Sequence, residues 1–186
     1  MSSVVTPLFS VDGSPADDLG RDLVKLQTEA SLHSRTTMQA EFVAGRAFDV
    51  GGAIEVSLGT DMRRVVFEGQ ITAIEFLFEE GAPPSVMVSA EGAMPASFQP
   101  QPSSAPRVLV RGRELLTAHV RVQKARAFVT VMGATTGSLD IVPGGIVRLE
   151  QIGASFSGDG YQVTKVRHTF DHDNEFRSTL EAQRPI

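Results

Sequence analysis

The chain has 186 residues, 41% of them hydrophobic, with a formal net charge of −5. That is enough apolar material for a real core and too little charge for a disordered chain. With no cysteine present, disulfides, thiolate metal sites and a cysteine nucleophile are all excluded.

The start, Met1 to Phe9, has no basic region followed by an apolar stretch, and no run approaches the roughly 18 apolar residues of a membrane helix. The expectation is cytoplasmic synthesis, no membrane insertion, and export only as part of a particle. Charge is unevenly shared: residues 1–99 hold 6 basic and 14 acidic side chains, residues 100–186 hold 11 and 8. The halves therefore carry −8 and +3. This is either a chance asymmetry of solvated faces or a sign that unlike halves meet within or between subunits.

In chain order, Asp17 to Leu26 is ambiguous. Leu19, Leu23 and Leu26 have helical spacing, yet Leu26, Thr28, Ala30 and Leu32 repeat every two residues; a short helix is expected there. Met38, Ala40 and Phe42 alternate as one face of a strand, and so do Ile54, Val56 and Leu58. Val65 to Phe78 reads as a long strand, Glu79 to Pro84 as a hairpin loop, and Val86 to Ala90 as the returning strand. The segment Ala93 to Pro106, with four prolines and no charge, reads as an extended linker or crossing arm. Beyond it, strands are expected at Val108–Val110, Val120–Val122, Phe128–Val131, Ile146–Ile152, Tyr161–Phe170 and Thr179–Gln183. The expected fold is mainly β: two similar β-barrel or sandwich units in tandem, residues 1–92 and 107–186 joined by 93–106, with at most short helices.

The tandem reading rests on an internal repeat. Phe48-Asp-Val-Gly-Gly-Ala-Ile-Glu-Val-Ser-Leu58 leads to Phe67-Glu-Gly and Ile71-Thr-Ala-Ile74. Leu139-Asp-Ile-Val-Pro-Gly-Gly-Ile-Val-Arg-Leu149 leads to Phe156-Ser-Gly and Val163-Thr-Lys-Val166. The last pair coincides at an offset of 92. The glycine pairs suit turns that need positive φ.

No catalytic, cofactor-binding or metal-ligating residue is expected. His168 and His172, flanked by Asp171 and Asp173, have a spacing that on a helix could hold zinc. On the strand expected there they stand roughly 13 Å apart, too far for one ion. Glu79-Glu80 and Asp17-Asp18 read as solvated carboxylates. Gly51-Gly52 and Gly144-Gly145 lack the Lys and Ser/Thr of a phosphate loop, and no Gly-x-Ser-x-Gly elbow occurs. Arg107, Arg111, Arg113, Arg121, Lys124 and Arg126 cluster without aromatic interleaving, so no specific nucleic-acid platform is expected. The residues point to a structural protein rather than an enzyme; a ligand-binding module would need a convergent polar pocket.

Phe67-Glu-Gly-Gln-Ile-Thr-Ala-Ile74, and more so Gly144-Gly-Ile-Val-Arg-Leu-Glu-Gln-Ile-Gly153 followed by Phe156 to Phe170, resemble the late control protein D family. So does the opening Pro7-Leu-Phe-Ser-Val-Asp-Gly13. Members are baseplate hubs of contractile phage tails, related to the N-terminal part of VgrG spikes and to hubs of extracellular contractile injection systems. The resemblance implies two β-barrels per chain and a homotrimer closing a pseudo-sixfold ring. That ring would adapt a hexameric tail tube to a trimeric spike, beside other baseplate components, in a phage tail or injection-system particle. A hexameric tube or tube-initiator protein is the alternative. Familiar hubs are longer, with domains inserted where Ala93–Pro106 stands, so the resemblance implies a minimal hub.

Overall fold

A computed structural model of the chain describes residues 6–43, 45, 47–59, 64–93, 106–123, 127–171 and 175–186. Of the expected arm, only Ala93 and Pro106 fall inside these ranges. The regular structure of the described residues is all strand apart from one short helix. They divide into two compact units, one gathering Met1–Glu29, Arg35–Met94 and Thr169–Phe176, the other Ala30–Ser34, Pro95–His168 and Arg177–Ile186. Two short segments therefore belong to the unit opposite to the one chain order suggests. Among the described residues no helix is long and apolar enough to cross a membrane.

The first unit opens with β1 (Leu8–Val11), β2 (Ser14–Pro15) and α1 (Asp17–Asp22). The Asp12-Gly13 turn between β1 and β2 takes φ of 49° and 77°, the left-handed pair that a two-residue hairpin needs. It continues with β3 (Leu23–Ser31, its last two residues given to the second unit), β4 (Thr37–Val43), β5 (Ala53–Leu58), β6 (Arg64–Leu77) and β7 (Ser85–Gly92). The ambiguity over Asp17–Leu26 resolves as both structures in turn. Asp17 and Asp18 sit favourably at the positive end of α1, and the strand starts at Leu23. A register shift between Leu23 and Lys25 inserts one extra residue, so Leu23 and Leu26 both face inward. That bulge is what imitates helical spacing.

The second unit holds β8 (Arg107–Val110), β9 (Leu115–Gln123), β10 (Phe128–Thr135), β11 (Ile146–Glu150), β12 (Gly158–Asp171) and β13 (Glu175–Pro185), apart from the β12 and β13 residues given to the first. Its strand order is β8-β11-β12-β13-β10-β9, against β1-β5-β6-β7-β4-β3 in the first. Counted along the chain, the two orders are the same.

The match extends to single hydrogen bonds. Gly51 N–H donates to the Ile71 carbonyl (2.8 Å) and Ile71 N–H to Gly52 (2.9 Å); Gly144 donates to Val163 (2.7 Å) and Val163 to Gly145 (2.9 Å). Gly51 and Gly144 have φ of 92° and 85°, where an L side chain would be strained. Thr72 Oγ1 donates to the Ser89 carbonyl at 3.2 Å, and Thr164 Oγ1, 92 residues on, donates to Glu181 at 3.2 Å. Met38 opposes Ala90 as Val131 opposes Ala182, and the Leu23/Lys25 bulge returns at Leu115/Thr117.

One proposed equivalence does not hold. Phe67 lies inside β6, whereas Phe156 lies in the turn before β12. The strand partner of Gly69 is Ile54, and that of Tyr161 is Val147, so Tyr161 is the counterpart of Gly69. A Cβ on Gly69 would collide with the Phe67 ring and the Glu91 carbonyl. Both units fill this space with an aromatic ring, one from Phe67 over a glycine and one from Tyr161 directly. A second difference is that β1 runs antiparallel to β5 but β8 parallel to β11.

Each unit has its own core. In the first, Phe9 on β1 meets Phe42 on β4 edge to face, with ring centroids 5.3 Å apart. Four steps of about 4.8 Å separate those strands in the sheet, roughly 19 Å if it lay flat, so the sheet is rolled around its core. Leu19, Leu23, Leu26, Met38 and Ile54 complete the buried cluster. In the second, Leu109, Leu115, Val131, Leu149, Tyr161, Val163 and Leu180 do the same.

Candidate functional site

The structure places the residues considered for chemistry in structural roles. His168 lies on β12 and its Nδ1 is 2.8 Å from Ser178 Oγ on β13; Ser138 N–H donates to the same oxygen at 3.0 Å. Thr135 Oγ1 donates to the Ser178 carbonyl at 3.2 Å. The composition is that of a serine–histidine dyad, a pairing that the sequence spacing gave no hint of. Ser178 is wholly buried, so no substrate can reach its oxygen. Burial also drives the His168 pKa down to about 4, which makes it a weak base at neutral pH. The arrangement crosslinks β12, β13 and the loop after β10. His172 and Asp173 lie outside the described residues. Among the described residues, no group of three or more His, Asp and Glu could hold a metal ion.

The glycine turns likewise have no donors free for a phosphate. Gly51 and Gly144 give their N–H groups to β6 and β12, and Gly52 and Gly145 give theirs to Asp49 and Val142. Arg107 is spent on Asp140 at 2.6 Å. The carboxylate of Glu114 accepts from Val110 N–H at 3.2 Å; its pKa is lowered by its own backbone N–H first, then by that of Val110, with Arg113 and Arg107 adding to them. Four of the six basic residues lie in described segments, and Arg107 and Arg113 among them act partly on local carboxylates. Tyr161 is buried with its hydroxyl donating to the Phe156 carbonyl (2.6 Å) and Arg184 stacked 4.8 Å above its ring. Burial raises its pKa, with Arg184 opposing.

An open cleft of about 460 Å³ on the second unit is lined by Thr117, His119, Met132, Lys165, Arg167 and Glu181 among others. Thr117 Oγ1 in its wall accepts a hydrogen bond from Ala134 N–H at 3.1 Å. The more informative surface is apolar. Near the β6–β7 turn, Phe76 is 61% exposed and Phe78 78%.

Three solved structures share the architecture. A tail protein from Neisseria meningitidis MC58 superposes with a TM-score of 0.70 at 9% identity, over 98% of this chain and 97% of that one. The 43 kDa tail protein of prophage MuSo2 from Shewanella oneidensis gives 0.71 at 9% identity, over 96% and 98%. The chain has the fold of phage tail proteins. The E. coli c3393 protein, a component of the type VI secretion system with structural similarity to the T4 bacteriophage tail proteins gp27 and gp5, gives 0.57 at 11% identity over 89% and 74%. No protein-family model matches the sequence, and no curated protein does.

Proposed function

We propose that the chain is a structural baseplate hub: a homotrimer whose six rolled β units form a pseudo-sixfold ring between a hexameric tail tube and a trimeric spike. The observation that carries this reading is the repeat of one strand order within one chain, with hydrogen bonds matched at offsets of 92 to 93 residues. A surface of sixfold symmetry made from three chains needs two near-equivalent units per chain. A tube or tube-initiator subunit would need only one, which disfavours that alternative. The tail-protein fold agrees with the reading.

On this reading residues 93–106 tie the two units, the role is non-enzymatic, and the partners are tube, spike and other baseplate proteins of a phage tail or injection-system particle. Unlike charge on the two halves would favour alternation around the ring. Co-expression with tube and spike proteins, followed by particle reconstruction, tests this. Three copies per baseplate are expected; six copies, or absence from the particle, would overturn it.

A further inference from the structure

The two segments that change units have counterparts 92 residues away. Residues 30–34 belong to the second unit, where Leu32 N–H donates to the Thr164 carbonyl of β12 at 3.0 Å. Residues 169–176 belong to the first unit, and Phe170 and Phe176 pack in its core. Phe170 is 7% exposed, but its counterpart Phe78 is 78% exposed. His168 is largely buried, while its counterpart Phe76 is 61% exposed. Among the described residues, the cover provided for β12 has no equivalent over β6.

Both edges required are open. Strand β5 pairs with β6 only over Arg64–Gln70, and the Gly51-Gly52 turn adds bonds to Ile71. Beyond Ile71, β7 is the only strand paired with β6 among the described residues. The counterpart of β3 is β9, which among the described residues pairs with β10 and, at Leu115 only, bridges to Arg111. Ala30 and Ser31 correspond to Val122, 46% exposed, and Gln123 at the end of β9.

Charge selects the match. Residues 68–80 carry four acidic side chains and no basic one; β9 (Leu115–Gln123) carries Arg121 and no acidic side chain. At the positions of Ala73 and Glu75, β12 has Lys165 and Arg167. A basic β9 end is thus drawn to a β6 edge and repelled by a β12 edge.

We propose that the end of β9 in one copy of this chain adds to the open β6 edge of a second copy, beside Thr72–Leu77, and covers Phe76 and Phe78. This deepens the trimer reading above and rests on it. The contact is heterologous, head to tail, and its repetition closes a ring where the rotation between copies is one third of a turn, as the trimer reading requires.

The test is native mass spectrometry and sedimentation of the full chain. Replacing Phe76 and Phe78 together by Ser is expected to weaken association at least tenfold without changing the circular dichroism spectrum, because both rings are exposed within one copy. Arg121→Glu is expected to weaken it as well, and Arg121→Glu with Glu75→Arg to restore it. A 1:1 mixture of the Phe76/Phe78 variant with Arg121→Glu has one sound head and one sound tail, and should stop at heterodimers. If the wild type is trimeric and the double Phe variant equally so, this interface is wrong and the trimer stands. If the wild type forms another multiple that the Phe variant loses, the interface stands and the trimer falls. A wild type that stays monomeric even with tube and spike proteins added overturns both.

Discussion

Lowering the pH from 7 should destabilise the second unit through one side chain, His168. In the folded chain it takes a proton only near pH 4, because burial disfavours the charged ring. Unfolded, it titrates near the ordinary value of about 6.5. Between those values the unfolded state binds more protons, so stability is full above pH 6.5 and is lost as pH falls toward 4. At about 1.4 kcal/mol per tenfold change in proton affinity, the loss by pH 4.5 is roughly 2.5 kcal/mol, and a little less because the ring is not wholly enclosed. Urea unfolding of wild type and His168→Gln, at pH 7.0, 6.0, 5.0 and 4.5, isolates this contribution from the carboxylates both proteins share. The wild type should lose about 2 kcal/mol more than the variant over that range. Parallel pH profiles would refute the reasoning, as would an imidazole resonance of His168 titrating near 6.5.

Three further outcomes follow from the geometry. Gly51→Ala and Gly144→Ala should each cost about 1–2 kcal/mol, by nearly equal amounts, since both sit at matched positive φ; urea melts of the two variants check this. Phe42→Ala, which removes a fully buried ring packed against Phe9 and Phe48, should cost about 3–5 kcal/mol by the same measurement. Tyr161→Phe removes the hydroxyl that donates to Phe156 and should cost about 1 kcal/mol. In the wild type, spectrophotometric titration should place this phenol above the ordinary tyrosine value, and a normal titration would contradict its burial.

Much of the fold was legible because strands with one buried face alternate. Met38–Phe42, Ile54–Leu58 and Val86–Ala90 read directly as β4, β5 and β7. The glycine pairs exposed the repeat because left-handed turns leave few choices of residue. Other features depend on contacts distant in sequence. Nothing local indicates that residues 30–34 and 169–176 belong to the unit opposite their neighbours. The Phe-x-Gly alignment misled because ring position, not sequence spacing, was preserved: Phe67 reaches over Gly69 where Tyr161 needs no help. The His168–Ser178 contact joins residues ten apart across a hairpin, and only the strand register brings them together. Phe76 and Phe78 read as part of a long strand, and their exposure shows only in the register, where β5 pairing stops short of them among the described residues.

The most direct test of two equivalent units per chain acting in threes is the native mass of the assembled protein. One chain weighs 19.9 kDa, so the account predicts a species of about 60 kDa, three times that mass, at micromolar concentration and low salt. A sixfold species near 120 kDa, or a monomer that persists when tube and spike partners are added, would contradict it.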